Sequence, residues 1–121
     1  MEHSPRFLGL VKDVMARVTE ISIDEVKGKL AREDDFDLID VREDNEWAAS
    51  HVRGARHIGR GVLERDIEKA IPALDREIVL YCGGGFRSAL AAESLQKMGY
   101  TRVRSMASGF RGWLASGGAI E

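Results

Sequence analysis

The only cysteine in this chain, Cys82, stands in a glycine-rich segment whose residue types suit anion chemistry. Over residues 82–88 the sequence consists of Cys82, Gly83, Gly84, Gly85, Phe86, Arg87 and Ser88. Because glycine has no Cβ, the three glycines let the backbone adopt positive φ values and turn its N–H groups toward the sulfur. Arg87 adds a fixed positive charge, and Ser88 can cap the first turn of a helix. The segment therefore predicts a ring of donors that stabilises a Cys82 thiolate and holds an anion beside it.

The chemistry predicted for Cys82 is that of a nucleophile that is already ionised. No residue of the segment can accept a proton, and none is needed if the thiolate is the resting form. One cysteine cannot form an internal disulfide, and with three scattered histidines it cannot complete a zinc-finger ligand set. The alternative for a lone cysteine at a strand end is a small buried apolar side chain without chemistry. We expect covalent catalysis by Cys82 with no metal and no organic cofactor.

The sequence places Cys82 between a predicted strand and a predicted helix. Residues 77–81 (EIVLY) form an apolar run, and residues 87–98 have a helical pattern that Gly99 ends. Further strands are predicted over residues 19–21, 36–41, 55–58 and 102–106, with helical patterns between them. This alternation indicates an α/β fold with a parallel sheet that helices cover on both faces. In such folds ligands bind at the carboxyl ends of the strands, which is where Cys82 stands.

Residues 1–18 are predicted to form an amphipathic helical extension that precedes a domain of residues 19–121. Ser4 and Pro5 are a favoured pair at a helix start. The apolar residues that recur at helical spacing are Phe7, Leu10, Val11, Val14, Met15 and Val18. We expect this face to dock on the domain or on a second copy of the chain, so monomer and homodimer both stay open.

Length and charge exclude several classes of protein. The chain of 121 residues has the size of one domain. Its 18 Lys and Arg against 20 Asp and Glu give a net charge of −2, which excludes a broadly basic nucleic-acid binder. No apolar run approaches the ~20 residues that span a bilayer, so we expect no stable membrane insertion. The N-terminus lacks the pattern of a secretory signal, which predicts a cytoplasmic protein.

Five segments in a fixed order carry a resemblance to a known family. They are LIDVR at 38–42, EW at 46–47, HVRGA at 51–55, CGGGFRS at 82–88 and GFRGW at 109–113. From residue 19 to residue 120 the chain resembles the rhodanese family of sulfurtransferases in its single-domain form. The resemblance implies a three-layer α/β/α fold with a five-stranded, mainly parallel sheet. It also implies that Cys82 is the active-site cysteine and that the loop through Arg87 cradles the transferred sulfur.

The resemblance implies a sulfurtransferase that works through a Cys82 persulfide. A small anionic donor such as thiosulfate or mercaptopyruvate would be oriented by Arg87, and a thiol or protein cysteine would accept the sulfur. The six residues from Cys82 to Arg87 match the loop of sulfurtransferases, whereas related cell-cycle phosphatases have one residue more. Two alternatives stay open: a persulfide carrier or interaction module with low turnover, and a cysteine phosphatase.

Residues outside the segment are expected to support it. Asp40 and Arg42 follow a predicted central strand and should reach the same sheet edge as Cys82. In one interpretation Asp40 accepts hydrogen bonds that brace the loop and Arg42 adds a positive field. We favour structural roles for both, in which Asp40 caps the next turn and Arg42 pairs with Glu46. His51 is expected to be a hydrogen-bonded structural imidazole and not a base.

The remaining expectations concern the core and the loops around the predicted site. Trp47, Phe110 and Trp113 are expected to fill the core, with Trp47 also a candidate for the pocket wall. Arg60 and Arg111 fall in or near predicted loops, where they either attract an anionic donor or face solvent. The related family often has glycine where Ser108 stands, which predicts an altered loop geometry there.

Overall fold

The fold alternates strands and helices along the chain, as the sequence predicts. The structure, a computed structural model, describes residues 2–121. The helices are α1 (Pro5–Met15), α2 (Ile23–Ala31), α3 (Asp44–Ala49), α4 (Arg60–Ala70), α5 (Phe86–Lys97) and α6 (Gly109–Ala115). The strands are β1 (Thr19–Ile21), β2 (Asp37–Asp40), β3 (Arg56–His57), β4 (Ile78–Tyr81) and β5 (Val103–Met106). Each predicted strand and helix is present, with bounds that differ by one or a few residues.

The five strands form one parallel sheet in the order β1-β5-β4-β2-β3. The central strand β4 is buried at all four positions, because α/β folds cover both faces of a parallel sheet. Ile78 and Leu80 belong to one apolar cluster, whereas Val79 and Tyr81 belong to another on the opposite face. This alternation follows from the two-residue period of a strand. The predicted three-layer α/β architecture with five strands is therefore confirmed.

Helices cover the two faces of the sheet and complete the two apolar clusters. On the first face, α4 and α5 contribute Leu63, Ile67 and Leu95 among other residues. On the second face, α2 and α6 contribute Val26 and Trp113. Ser22 caps α2, because its hydroxyl accepts a hydrogen bond from the Glu25 N–H at 3.1 Å. These two layers position the first turns of α5 and α6, because both helices begin beside the carboxyl end of β4.

Helix α1 packs on the domain along α5. Val11 and Val14 are buried against Ala89 and Leu90 of α5, which is the docking on the domain that the sequence offered as one outcome. The expectation that the docked face covers Leu10 is wrong, because this residue is 52% exposed. Leu10 lies at the edge of the apolar row, so α5 does not cover it. That residues 1–18 are an extension separate from residues 19–121 stays a prediction.

The longest helix of the described residues, α5, has 12 residues. Among residues 2–121, no helix has the length and the apolar character that a bilayer crossing requires.

Candidate active site

Cys82 lies in the tight loop between β4 and α5, at the carboxyl edge of the sheet. Its sulfur accepts hydrogen bonds from the N–H groups of Gly85, at 3.1 Å, and Ser88, at 3.3 Å. The Ser88 hydroxyl lies 3.5 Å from the sulfur and 2.7 Å from the hydroxyl of Ser105, and both serines are fully buried. Two main-chain N–H groups therefore point at the sulfur, as the sequence predicts for this loop.

The three glycines of the loop serve different purposes. Only Gly85 has a positive φ, of 101°, so the expectation of positive φ values along the whole run is met at one position. A Cβ on Gly84 would stand 2.5 Å from Nη2 of Arg111, and a Cβ on Gly83 would stand 3.0 Å from Nη2 of Arg87. Gly85 therefore permits the turn into α5, while the other two let guanidinium groups approach the backbone.

Four further N–H groups of the loop are available to a ligand. The main-chain N–H groups of Gly83, Gly84, Phe86 and Arg87 have no hydrogen-bond partner among residues 2–121. Those of Phe86 and Arg87 belong to the first turn of α5, where intrahelical partners are missing by geometry. Free donors at a helix start favour an anion, because the positive end of the helix dipole adds to the hydrogen bonds.

A cavity of about 530 Å³ opens above the loop. Cys82 is among its lining residues although it is only 1% exposed and belongs to the first apolar cluster, so this residue lies at the bottom of the cavity. The other lining residues are His3, Phe7, Arg42, Glu46, Gly83, Gly84, Phe86, Arg87, Phe110 and Arg111. This volume falls in the range of about 300–1,000 Å³ that is usual for sites of small organic ligands.

Arg87 is engaged by a carboxylate that the sequence did not assign to it. The guanidinium donates from Nη1 to Glu46 Oε1 at 2.7 Å and from Nη2 to Glu46 Oε2 at 3.1 Å. Arg87 lowers the pKa of Glu46 to about 2, and Glu46 in turn raises the pKa of Arg87. Glu46 is therefore ionised at neutral pH, and its charge offsets that of Arg87 inside the cavity.

Arg42 binds Asp40 and not Glu46, so the predicted Arg42–Glu46 pair is wrong. Arg42 donates from Nε and Nη2 to the buried Asp40 carboxylate, with the shortest contact at 2.8 Å. Asp40 also accepts the Arg42 main-chain N–H at 2.8 Å, which is the predicted cap of the turn after β2. The Arg42 guanidinium lies 4.2 Å from the centre of the Phe110 ring and lines the cavity.

Arg111 is the cation of the cavity that has no carboxylate partner. It makes no ion pair among residues 2–121, and the only hydrogen bond of its side chain there is a 3.5 Å contact from Nε to the Gly83 carbonyl. Its side chain is exposed and lines the cavity near Gly84. Arg60 is also exposed but lies outside this lining. The sequence predicts that Arg60 and Arg111 either bind an anion or face solvent. In the structure Arg111, and not Arg60, lines the cavity that Cys82 also lines.

The start of α6 fixes the backbone of the loop. The N–H groups of Phe110 and Arg111 donate to the carbonyls of Cys82, at 2.7 Å, and Gly83, at 3.0 Å. Gly109 has a φ of 52°, and a Cβ there would stand 2.8 Å from the Gly83 carbonyl oxygen and closer still to that of Cys82. Ser108 adopts a φ of 66°, so this serine takes the left-handed conformation that glycine prefers.

Trp47 and the two neighbouring histidines form a separate stack. Trp47 lies between His51, with ring centres 3.4 Å apart, and His57, with ring centres 5.1 Å apart. His51 Nδ1 hydrogen-bonds the Trp47 carbonyl at 3.0 Å, which confirms a structural imidazole. The placement of Trp47 in the core is wrong, because it is half-buried in this stack and does not line the cavity. Phe110 and Trp113 are buried as expected.

Sequence reasoning missed three residues of the cavity: His3, Phe7 as a lining residue, and Glu46 as the partner of Arg87. Glu46 is 41 positions from Arg87, and no pattern in the chain joins the two. His3 precedes the apolar helical repeat and has no signal of its own. No group of three or more His, Cys, Asp or Glu residues that could hold a metal ion occurs in the described part of the chain.

Comparisons with known proteins agree with this geometry. A model of the rhodanese-like domain matches residues 22–116. The putative sulfur carrier protein YrkF of Bacillus subtilis is 33% identical over 98 residues, which cover 79% of this chain and 51% of YrkF. The chain thus spans about half the length of that relative.

Two solved structures are similar over most of this chain. RPA3614 of Rhodopseudomonas palustris, a protein of unknown function described as a possible tyrosine phosphatase, superposes with a TM-score of 0.88 and 26% identity. That match covers 100% of this chain, the N-terminal helix included, and 99% of RPA3614. The human single-domain sulfurtransferase TSTD1 gives a TM-score of 0.71 and 29% identity, and covers 81% of this chain and 96% of its own. The chain therefore belongs to the rhodanese-like domain family and has sulfurtransferases among its relatives.

Proposed function

We propose that the protein is a sulfurtransferase in which Cys82 takes a sulfane sulfur from a donor and passes it to a thiol. The observation that supports this most is the position of Cys82 at the bottom of the cavity, with two main-chain N–H groups directed at its sulfur. The kinship with the single-domain sulfurtransferase TSTD1 points the same way.

In the first step the Cys82 thiolate attacks the outer sulfur of the donor. A bond forms between Sγ and that sulfur, and the sulfur–sulfur bond of thiosulfate breaks with its electron pair, so sulfite leaves. With mercaptopyruvate the carbon–sulfur bond breaks, and the leaving group becomes pyruvate after it takes a proton from water. The product on the enzyme is a Cys82 persulfide, and its anionic outer sulfur would accept hydrogen bonds from the free N–H groups of Gly83, Gly84, Phe86 and Arg87.

In the second step an acceptor thiolate attacks the outer sulfur of the persulfide. The bond between the two sulfurs breaks, and its electron pair returns to Sγ, so the Cys82 thiolate is regenerated. The acceptor leaves as a persulfide, which makes the reaction a covalent ping-pong cycle. Low-mass thiols and protein cysteines both fit this chemistry.

The donor anion is oriented by Arg111 together with the loop amides. Arg87, which the sequence favoured for this role, has its charge offset by Glu46, and Arg42 has its charge offset by Asp40. Arg111 has no such partner among residues 2–121 and is exposed at the cavity. The role of Arg87 is to keep the Glu46 contact and the geometry of the loop, so its loss still raises KM for an anionic donor.

A cysteine phosphatase is the second candidate, since the similar structure RPA3614 is described as a possible tyrosine phosphatase. Such an enzyme needs a protonated acid to give a proton to the leaving group. The carboxylate among the lining residues is Glu46, and Arg87 lowers its pKa to about 2. Glu46 is thus a poor proton donor at neutral pH, and the six-residue loop is also the shorter one. Both observations favour sulfur transfer over phosphate hydrolysis.

A persulfide carrier with low turnover is the third candidate, in line with the description of YrkF as a putative sulfur carrier. It would form the same Cys82 persulfide but release the sulfur only to a protein partner. A carrier and a sulfurtransferase therefore differ in the second step and not in the first.

Intact-protein mass spectrometry tests the proposal. After incubation with thiosulfate or, separately, mercaptopyruvate, we expect a gain of one sulfur atom confined to the Cys82 peptide and absent from Cys82→Ser. Thiocyanate formation with cyanide as acceptor should occur in the wild type and be lost in Cys82→Ser. Hydrolysis of an aryl phosphate without any sulfur gain would contradict the proposal and favour a phosphatase. Sulfur gain with slow release to every small thiol would favour the carrier.

A further inference from the structure

The N-terminal segment reaches the cavity above Cys82. His3 and Phe7 line the same cavity as the sulfur, although both precede residue 22, where the match to the family domain begins. Both are half-buried, and α1 is anchored on α5 by the buried Val11 and Val14. The segment is therefore a fixed part of the cavity wall.

Three rings from this region form one aromatic cluster. The centre of the His3 ring lies 5.3 Å from that of Phe7 and 5.0 Å from that of Phe86, and Phe7 lies 6.1 Å from Phe86. These separations fall in the range of favourable aromatic contacts. Because Phe86 belongs to the loop itself, the cluster joins the N-terminal segment to the residues around Cys82. We call His3, Phe7 and Phe86 the aromatic wall.

The charges of the arginines that line the cavity are largely compensated. Arg87 and Arg42 are paired with Glu46 and Asp40, which leaves the exposed Arg111 as the cation without a carboxylate among residues 2–121. An inorganic ion such as thiosulfate uses the amides and Arg111 but has no carbon to place against the aromatic wall. A ligand that fits the whole site carries one anionic head and an apolar organic group.

We propose that His3 and Phe7 form a subsite for the organic group of the sulfur donor, so that the enzyme prefers organic sulfane-sulfur donors to thiosulfate. This inference rests on the proposed function, because it concerns the donor of the same reaction. An aryl thiosulfonate is a suitable probe, since it has an anionic sulfur head and an aromatic ring. The ring packs against Phe7 and His3, and the head meets the loop amides and Arg111.

The reaction with benzenethiosulfonate follows the same course as the reaction with thiosulfate. The Cys82 thiolate attacks the outer sulfur of benzenethiosulfonate, and a bond forms between that sulfur and Sγ. The bond to the sulfonyl sulfur breaks with its electron pair, and benzenesulfinate leaves. No oxidant, reductant or further reactant is needed.

The kinetic test compares benzenethiosulfonate with thiosulfate in the wild type and in variants of the full chain. We expect Phe7→Ala and, independently, His3→Ala to lower kcat/KM for benzenethiosulfonate about tenfold more than for thiosulfate. His3 precedes α1, so its variant leaves the packing of that helix in place. Leu10→Ala is the matched control, because Leu10 is exposed on the same helix and does not line the cavity. It should leave the ratio of the two donors unchanged.

A binding test separates the aromatic subsite from the sulfur chemistry. In Cys82→Ser, calorimetry should show benzenesulfonate binding more tightly than sulfate, and adding Phe7→Ala should reduce this preference about tenfold. Equal losses for both donors and both anions in Phe7→Ala would overturn the subsite and leave sulfur transfer standing. If the wild-type protein transfers no sulfur from either donor but the preference for benzenesulfonate over sulfate is present, the proposed function is overturned and the aromatic subsite is not.

Discussion

Replacing Gly109 by alanine tests whether α6 holds the catalytic loop in position. A Cβ at this residue would stand 2.8 Å from the Gly83 carbonyl oxygen and closer still to the Cys82 carbonyl oxygen. Real Cβ atoms do not approach backbone oxygens so closely, so α6 and the loop must move apart. The movement stretches the hydrogen bonds that Phe110 and Arg111 donate to these two carbonyls, at 2.7 and 3.0 Å.

The expected cost of Gly109→Ala has two parts. An alanine at the φ of 52° costs about 1 kcal/mol relative to glycine. Two weakened hydrogen bonds add about 1 kcal/mol each. We therefore expect a loss of about 3 kcal/mol in the free energy of unfolding. Because the loop shifts by about 1 Å, kcat/KM for sulfur transfer should fall by about 100-fold.

Gly117→Ala is the matched control, because Gly117 follows the same helix with a φ of 75°, and a Cβ there would meet no atom within 4 Å. Gly117→Ala should lower the free energy of unfolding only by the cost of the positive φ, about 1 kcal/mol, and should keep wild-type kinetics. Urea unfolding and steady-state thiocyanate formation measure the two quantities. Equal stability of the two variants, or wild-type kinetics in Gly109→Ala, would refute the idea that α6 fixes the loop.

Two further predictions concern the charges of the cavity. Because Arg87 lowers the pKa of Glu46 from 4.5 to about 2, Glu46 stabilises the fold above pH 4.5, and this contribution is lost as the pH falls from 4.5 to about 2. In urea unfolding, Glu46→Gln should therefore lower the free energy of unfolding by about 1 kcal/mol at pH 7, a value reduced for solvent screening because Glu46 is 32% exposed. Near pH 2 the variant and the wild type should be equally stable. Exposed Glu64→Gln, the control, should show no such difference. Arg111→Gln should raise KM for thiosulfate about threefold at low salt, whereas Arg60→Gln should leave KM unchanged. An equal effect of the two variants would contradict a role of Arg111 in binding the donor anion.

The structure of the loop was predictable because its determinants are local. An apolar run, one cysteine, a glycine at the turn and a helical pattern lie within a few consecutive residues of each other, and β4 and α5 follow from them. The position of Gly85 at the start of α5, with its positive φ, is of this kind. So is the cap that Asp40 forms for the turn after β2.

The partners of the arginines were not predictable, because they depend on how distant elements pack. Glu46 and Arg42 are four positions apart, which suggested a pair, but α3 begins with Glu43 as its N-cap and turns Glu46 toward α5. Arg42 instead folds back on Asp40 two residues earlier and donates to the Ser50 carbonyl at 2.7 Å. A spacing rule for helices fails here because Arg42 precedes the helix.

The compensation of charges in the cavity has a consequence for how donors are distinguished. Arg111 is exposed, and an exposed cation adds only about 1 kcal/mol to the binding of an anion and is screened by salt. In the proposed reaction the loop amides would bind the reacting sulfur of every donor and every persulfide alike, so they would speed the reaction without separating one donor from another. Discrimination must then come from contacts that only some donors make, and the apolar surface of His3 and Phe7 is where such contacts are available. A cavity with several unpaired cations would distinguish donors by charge, whereas this cavity, with two of its arginines already paired, would under the proposal distinguish them by shape and apolar surface.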